Sequence, residues 1–187
     1  SSKIRLEKKD GTVLLYDGND VFIRPDTAMY PGARFDMFTW SYFFMAPFKF
    51  SDLGAQWEDK GDLSLGEKSY PAARLTFSSE VGDTPDDWYI AYREPENDLL
   101  NALAYIVTFG TTTEKANEEP HAITYHDYQE IEGIPFAQEW KFWQWNEQDG
   151  LGDEIGSATL SNIQFVAPET DFFEMSGEDM SQVSLPQ

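Results

Sequence analysis

Short stretches that alternate apolar and polar residues follow one another along nearly the whole chain, with turn dipeptides between them. Residues 4–8 run into the turn KKDG; residues 12–16 follow, and DGND leads into VFIRP at 21–25. Further strands are expected over 55–65, 69–79, 87–93, 99–109, 121–131, 135–145 and 155–166. Asp-Gly, Gly-Asp and Pro-Glu pairs between them carry turn chemistry. Period two is the signature of a strand, and connections this short join neighbours antiparallel, as a meander. The exception is ARFDMFTWSYFFMAPF, residues 33–48. Phe35, Phe38, Tyr42 and Met45 step by three and four along one helix face, and Met37, Trp40, Phe44 and Phe48 along another. A helix apolar nearly all round is buried or touches something apolar. Pro47 is expected to end or kink it. The expected fold is mainly β with a few helices: a single curved antiparallel sheet around a short aromatic helical plug.

Charge narrows the function. The 187 residues carry 34 acids against 13 bases, a formal net charge of −21. Nucleic acid is bound by neutralising phosphates with Lys and Arg, so no nucleic-acid partner is expected. An anionic membrane surface is disfavoured for the same reason. The chain has no cysteine, which excludes disulfides and Cys-ligated metals. The longest uncharged apolar run starts at Met37, is broken by Lys49, and is too short to span a bilayer. Strand-like sequence follows Ser1 at once, so a signal peptide or lipid anchor is expected only upstream of it. Six Trp, nine Tyr and fourteen Phe raise the question of an apolar surface beyond the core.

The strands carry rings on both faces. Trp88, Ile90 and Tyr92 share one face of their strand; Leu103, Tyr105 and Val107 share one face of the next; Phe136, Trp140 and Phe142 oppose Trp143 and Trp145 in a third. Either loops or a partner cover part of the outer face, or the sheet curves around an apolar cavity of the kind that takes ligands.

Catalytic signals are weak. His121 and His126 lie five apart in one strand, point to opposite faces, and cannot share a metal without a bulge. No GxSxG elbow, GxGxxG or GxxxxGK[ST] motif occurs, and no Ser-His pairing is local. Glu130 and Glu132 share a strand face near Trp140, Trp143 and Trp145, the arrangement a glycosidase would use. With 34 acids such pairs arise by chance, so a non-catalytic sugar-binding sandwich is the better carbohydrate reading. Asp83, Asp86 and Asp87 cluster around Pro85 in GDTPDDWYIAYREPEND, residues 82–98, with Glu80 just before it, but the four lack calcium-loop spacing. They read as a hairpin corner with solvated acids. No enzymatic activity, cofactor or metal is expected.

Four motifs in order carry a resemblance: YDGNDVFIRPD at 16–26, FFMAPF at 43–48, GDTPDDWYIAYREPE at 82–96 and SATLSNIQF at 157–165. Together they resemble the LolA-like family, the outer-membrane lipoprotein carrier fold, and within it a branch of envelope proteins. The likeness spans residues 3–166 or so. It implies an incomplete antiparallel β-barrel wrapped round helices, with a concave apolar cavity that holds lipoprotein acyl chains or other lipids. It implies one half-barrel domain over 1–167, with a long first helix and early strands upstream. Residues 168–187 form an acidic irregular tail. It also implies the bacterial cell envelope, in the periplasm or at the outer membrane, with a lipid anchor carried upstream.

On that basis the ligand is a lipid or acyl chain. Phe38, Trp40, Phe43, Phe44 and Phe48 of the helix form one wall or a lid. Trp88, Ile90, Tyr92, Leu103, Tyr105, Val107, Trp140 and Phe142 form the sheet side, a choice that a one-residue shift would reverse. The alternative is a structural or accessory subunit bound to an outer-membrane protein partner, with Trp143 and Trp145 as interface anchors.

Overall fold

The computed structural model describes residues 2–78, 84–174 and 179–184. At 46 % strand against 13 % helix it is mainly β. In chain order the elements are β1 (Ile4–Glu7), β2 (Val13–Tyr16), β3 (Val21–Arg24), α1 (Ala33–Lys49), β4 (Ala55–Leu65), β5 (Lys68–Phe77), β6 (Tyr89–Arg93) and β7 (Leu100–Tyr105). Then come α2 (Thr113–Glu118), β8 (His121–Ile131), β9 (Ile134–Asn146), β10 (Gly150–Thr159) and β11 (Ser181–Gln182). The strands form two antiparallel sheets rather than the expected single one, and neither closes into a barrel. The reason is α1: seventeen helical residues interrupt the meander between β3 and β4. Two compact units result, Ser1–Lys49 with Val166–Gln187, and Phe50–Phe165.

In the first unit the strand order is β1-β2-β3-β11. Asp10 Oδ1 accepts from Thr12 N, and Asp17 Oδ1 from the amides of Asn19 and Asp20, so the two turns read from DG and DGND close as Asx turns. Leu14, Val21 and Ile23 bury themselves with Ala33 and Met37 of α1, and Tyr16 meets Phe38 edge-on at 5.0 Å. Pro47 neither stops nor shortens α1, which ends two residues later. A proline this near the C-terminus deletes a hydrogen bond only in the last turn. The tail is not wholly irregular: β11 pairs with β3, and Val183 N donates to Val21 O.

In the second unit β4 to β10 pair consecutively, the expected meander. Several bounds differ from expectation: β7 stops at Tyr105 rather than 109, and β10 at Thr159 rather than 166. Asn146 Oδ1 accepts from Gln148 N and Asp149 N, which turns the chain so early that β10 begins at Gly150 rather than 155. The short helix α2, not expected, starts where Thr112 Oγ1 accepts from Lys115 N.

Candidate functional site

Cross-strand register assigns the faces of the seven-stranded sheet, because directly paired residues point the same way. Arg74 pairs with Ile90, Ala72 with Tyr92, Tyr92 with Ala102, Ala102 with Thr124, and Thr124 with Lys141. Trp143 and Trp145 follow on this same face. Leu75, Tyr89, Tyr105, Leu103, Ile123, Phe142 and Trp140 lie on the other by the same pairings. The sequence-derived sheet residues are therefore divided. Trp88, Ile90 and Tyr92 share one face; Leu103, Tyr105, Trp140 and Phe142 occupy the opposite one. Val107 lies beyond the end of β7, half-buried.

The first face is concave. Trp145 Nε1 on β9 donates to Tyr92 Oη on β6 at 3.1 Å, with β7 and β8 between. In a flat sheet those strands stand about 14 Å apart. Curling also brings the two edges near each other. A Cβ on Gly150 of β10 would lie 2.7 Å from Ser64 O of β4, and Lys60 Nζ of β4 lies 3.7 Å from Glu147 Oε1 after β9. The small floor residues Ala72, Ala102, Ala104 and Ala122 leave volume that Tyr92, Trp145 and Leu65 fill; Leu63, Tyr70, Trp88 and Leu151 are half-buried around them.

Trp145 is thus 5 % exposed, inside a core cluster. Trp143 is half-buried, and its Nε1 donates to Thr124 Oγ1 at 3.0 Å. Of the helix residues, Phe43 is buried and Phe38 and Phe44 half-buried, while Trp40 and Phe48 are 40 % and 43 % exposed. They belong to the unit of the small sheet.

The opening acid cluster resolves differently. Glu80 and Asp83 lie outside the described residues, and Asp86 is exposed. Asp87 is not a solvated corner acid. It is 7 % exposed, and its Oδ1 accepts from both the amide and the hydroxyl of Thr108 at 2.7 Å. Burial pushes its carboxyl above the usual range, against the pull of those hydrogen bonds. Its neighbour Trp88 donates from Nε1 to Asn117 Oδ1 of α2 at 2.9 Å.

His121 pairs with Tyr105 on the convex face, while His126 Nε2 bonds Thr124 Oγ1 on the concave one, at 2.7 Å. The two histidines do point apart. The carboxylates Glu130 and Glu132 do not form a pair on a strand face. Glu130 faces Pro135 near the end of β8, and Glu132 sits in the two-residue turn before β9 with φ +50°. Trp143 and Trp145 lie at the far end of β9.

Arg74 escaped the sequence reading. It projects from β5 into the concave face, its guanidinium carbon 4.9 Å from the Trp88 ring centroid. Its Nε is buried and has no hydrogen-bond partner. The available signal was a base in phase with Tyr70 and Ala72 in SYPAARLTF, within a chain short of bases. Compared with protein-family models, curated proteins and solved structures, the chain matches none.

Proposed function

We propose that the protein is a non-enzymatic cell-envelope protein that holds a lipid or acyl chain against the concave face of the seven-stranded sheet. The observation that carries this reading is the curl that brings Trp145 onto Tyr92 above a floor of alanines. It gives a concave apolar face, occupied at its centre by Tyr92 and Trp145 and flanked by the half-buried side chains of Leu63, Tyr70, Trp88 and Leu151. Hydrocarbon laid against this rim gains about 0.8 kcal/mol for each CH2 group removed from water. The order of the LolA-like motifs supports the same ligand class and an envelope location.

A second reading is an accessory subunit of an envelope protein complex. It is favoured by two observations: Tyr92 and Trp145 already fill the centre of the concave face, and Trp40, Met45 and Phe48 of α1 present apolar area to solvent. Aromatic residues and methionine are enriched at such interfaces.

Native mass spectrometry of the protein purified from its own host, followed by solvent extraction and lipid analysis, separates the two. A stoichiometric fatty acid or phospholipid is expected. A bare mass, with a protein co-purifying in fixed ratio, would overturn the lipid reading in favour of the subunit.

A further inference from the structure

Lys60, Lys141 and Arg74 are cations of the concave face, and they are treated unequally: Lys141 stands 3.8 Å from Glu139. Lys60 stands 3.8 Å from Glu58 and 3.7 Å from Glu147. Arg74 faces the same Glu58 across the β4–β5 pair, yet no described carboxylate forms an ion pair with it. It is half-buried, its Nε has no acceptor, and its guanidinium stacks on Trp88. In a chain with 34 acids, a guanidinium that pairs with no described carboxylate is a donor set held open. A buried N–H without an acceptor costs stability, which an incoming acceptor recovers.

We propose that Arg74 binds the headgroup of the ligand, and that the ligand is a monoanionic carboxylate with a hydrocarbon body, of the fatty-acid class. This rests on the reading of the concave face as an acyl-chain site and names its ligand. The planar guanidinium fork matches the two oxygens of a carboxylate. Stacking on Trp88 fixes the plane of that fork and leaves its edge for the ligand. Glu58 and Glu147 limit the negative charge the mouth accepts, which favours a monoanion over a phosphate dianion. The hydrocarbon then runs from Arg74 over Trp88 toward Tyr70 and Leu63, the half-buried rim.

The test is calorimetric titration of the full chain with sodium laurate, dodecanol and dodecyl phosphate. Wild type is expected to bind laurate about tenfold or more tighter than dodecanol, since charge-assisted bonds to the head are lost with the alcohol. Arg74→Gln is expected to bind the two with nearly equal affinity. Equal wild-type affinities, or laurate binding undiminished in Arg74→Gln, would overturn the headgroup assignment and leave the acyl site standing. Binding of neither laurate nor dodecanol would bring down the acyl site and the assignment together. Preference for dodecyl phosphate over laurate would overturn the carboxylate. Should Arg74→Gln fail to fold, the wild-type comparison decides alone, and Arg74→Lys, which keeps the charge without the fork, is expected to fall between.

Discussion

Trp145 Nε1 and Tyr92 Oη meet at 3.1 Å across two intervening strands, and both residues are buried. This bond ties β9 to β6 on the inside of the curl. Tyr92→Phe leaves the indole N–H buried without an acceptor, at a cost of about 1–3 kcal/mol. For a chain of this length that lowers Tm by roughly 2–4 °C per kcal/mol.

The same pair gives a prediction at high pH. Burial pushes the Tyr92 hydroxyl up to about 12, opposed by the bond from Trp145 and assisted by the charge of Glu147. The pKa is raised in the folded state, so the stabilisation is complete below the unfolded value near 10 and is lost as pH rises toward 12. The stability advantage of wild type over Tyr92→Phe is therefore expected to hold to about pH 10 and shrink above it. Urea denaturation of both proteins between pH 8 and 11 reads this directly. A gap that widens with pH would refute the assignment.

Asp87 offers a test at the acid end. Asp87→Ala leaves the amide and hydroxyl of Thr108 without their shared acceptor, a loss of about 1–3 kcal/mol. Asp87→Asn keeps an oxygen able to accept both bonds and removes the buried charge. The carboxyl is raised mainly by burial, so its contribution is complete below the unfolded pKa near 4 and is lost as pH rises through the folded value. Asp87→Asn should gain on wild type between pH 4 and pH 7, and the gain should vanish at lower pH. Chemical denaturation at three pH values suffices. A wild type that gains on the variant over that interval would contradict the burial argument.

Most of the larger sheet was legible in the sequence because its strands are long and their connections short, as in β8 and β9, joined by Glu132 and Gly133. What alternation cannot supply is which row of one strand shares a face with which row of the next. Ile90 and Leu103 both read as inward residues of adjacent strands, yet Ile90 pairs with Ala104 and Leu103 with Ala91. That register is set by turn lengths and by bulges such as those at Asp59/Gly61 and Tyr92/Arg93, which single-strand periodicity does not contain. The split of the large rings between two faces follows from it. Likewise β11, two residues long, has no period to read, and its place is fixed by β3. Asp87 looked like a turn acid because its acceptor role depends on Thr108, twenty-one residues away.

The closeness of the two sheet edges makes Gly150 a sensitive glycine of the second unit. Its φ is +77°, and an added Cβ would stand 2.7 Å from Ser64 O and 3.1 Å from Leu65 Cα, all backbone atoms. Gly66 has a similar φ of +66° but open space around it. Gly66→Ala therefore carries only the cost of a left-handed conformation, about 1 kcal/mol. Gly150→Ala adds a clash that no rotamer change relieves, and backbone shifts of this kind cost about 1–3 kcal/mol more. The two variants compared by thermal unfolding isolate the contact between β4 and β10. A larger loss in Gly150→Ala is expected, accompanied by a change in tryptophan fluorescence, because Leu65 and Trp145 belong to one core cluster. Equal losses in the two variants would mean that the edges do not approach each other in solution, and the curl of the concave face would lose its support.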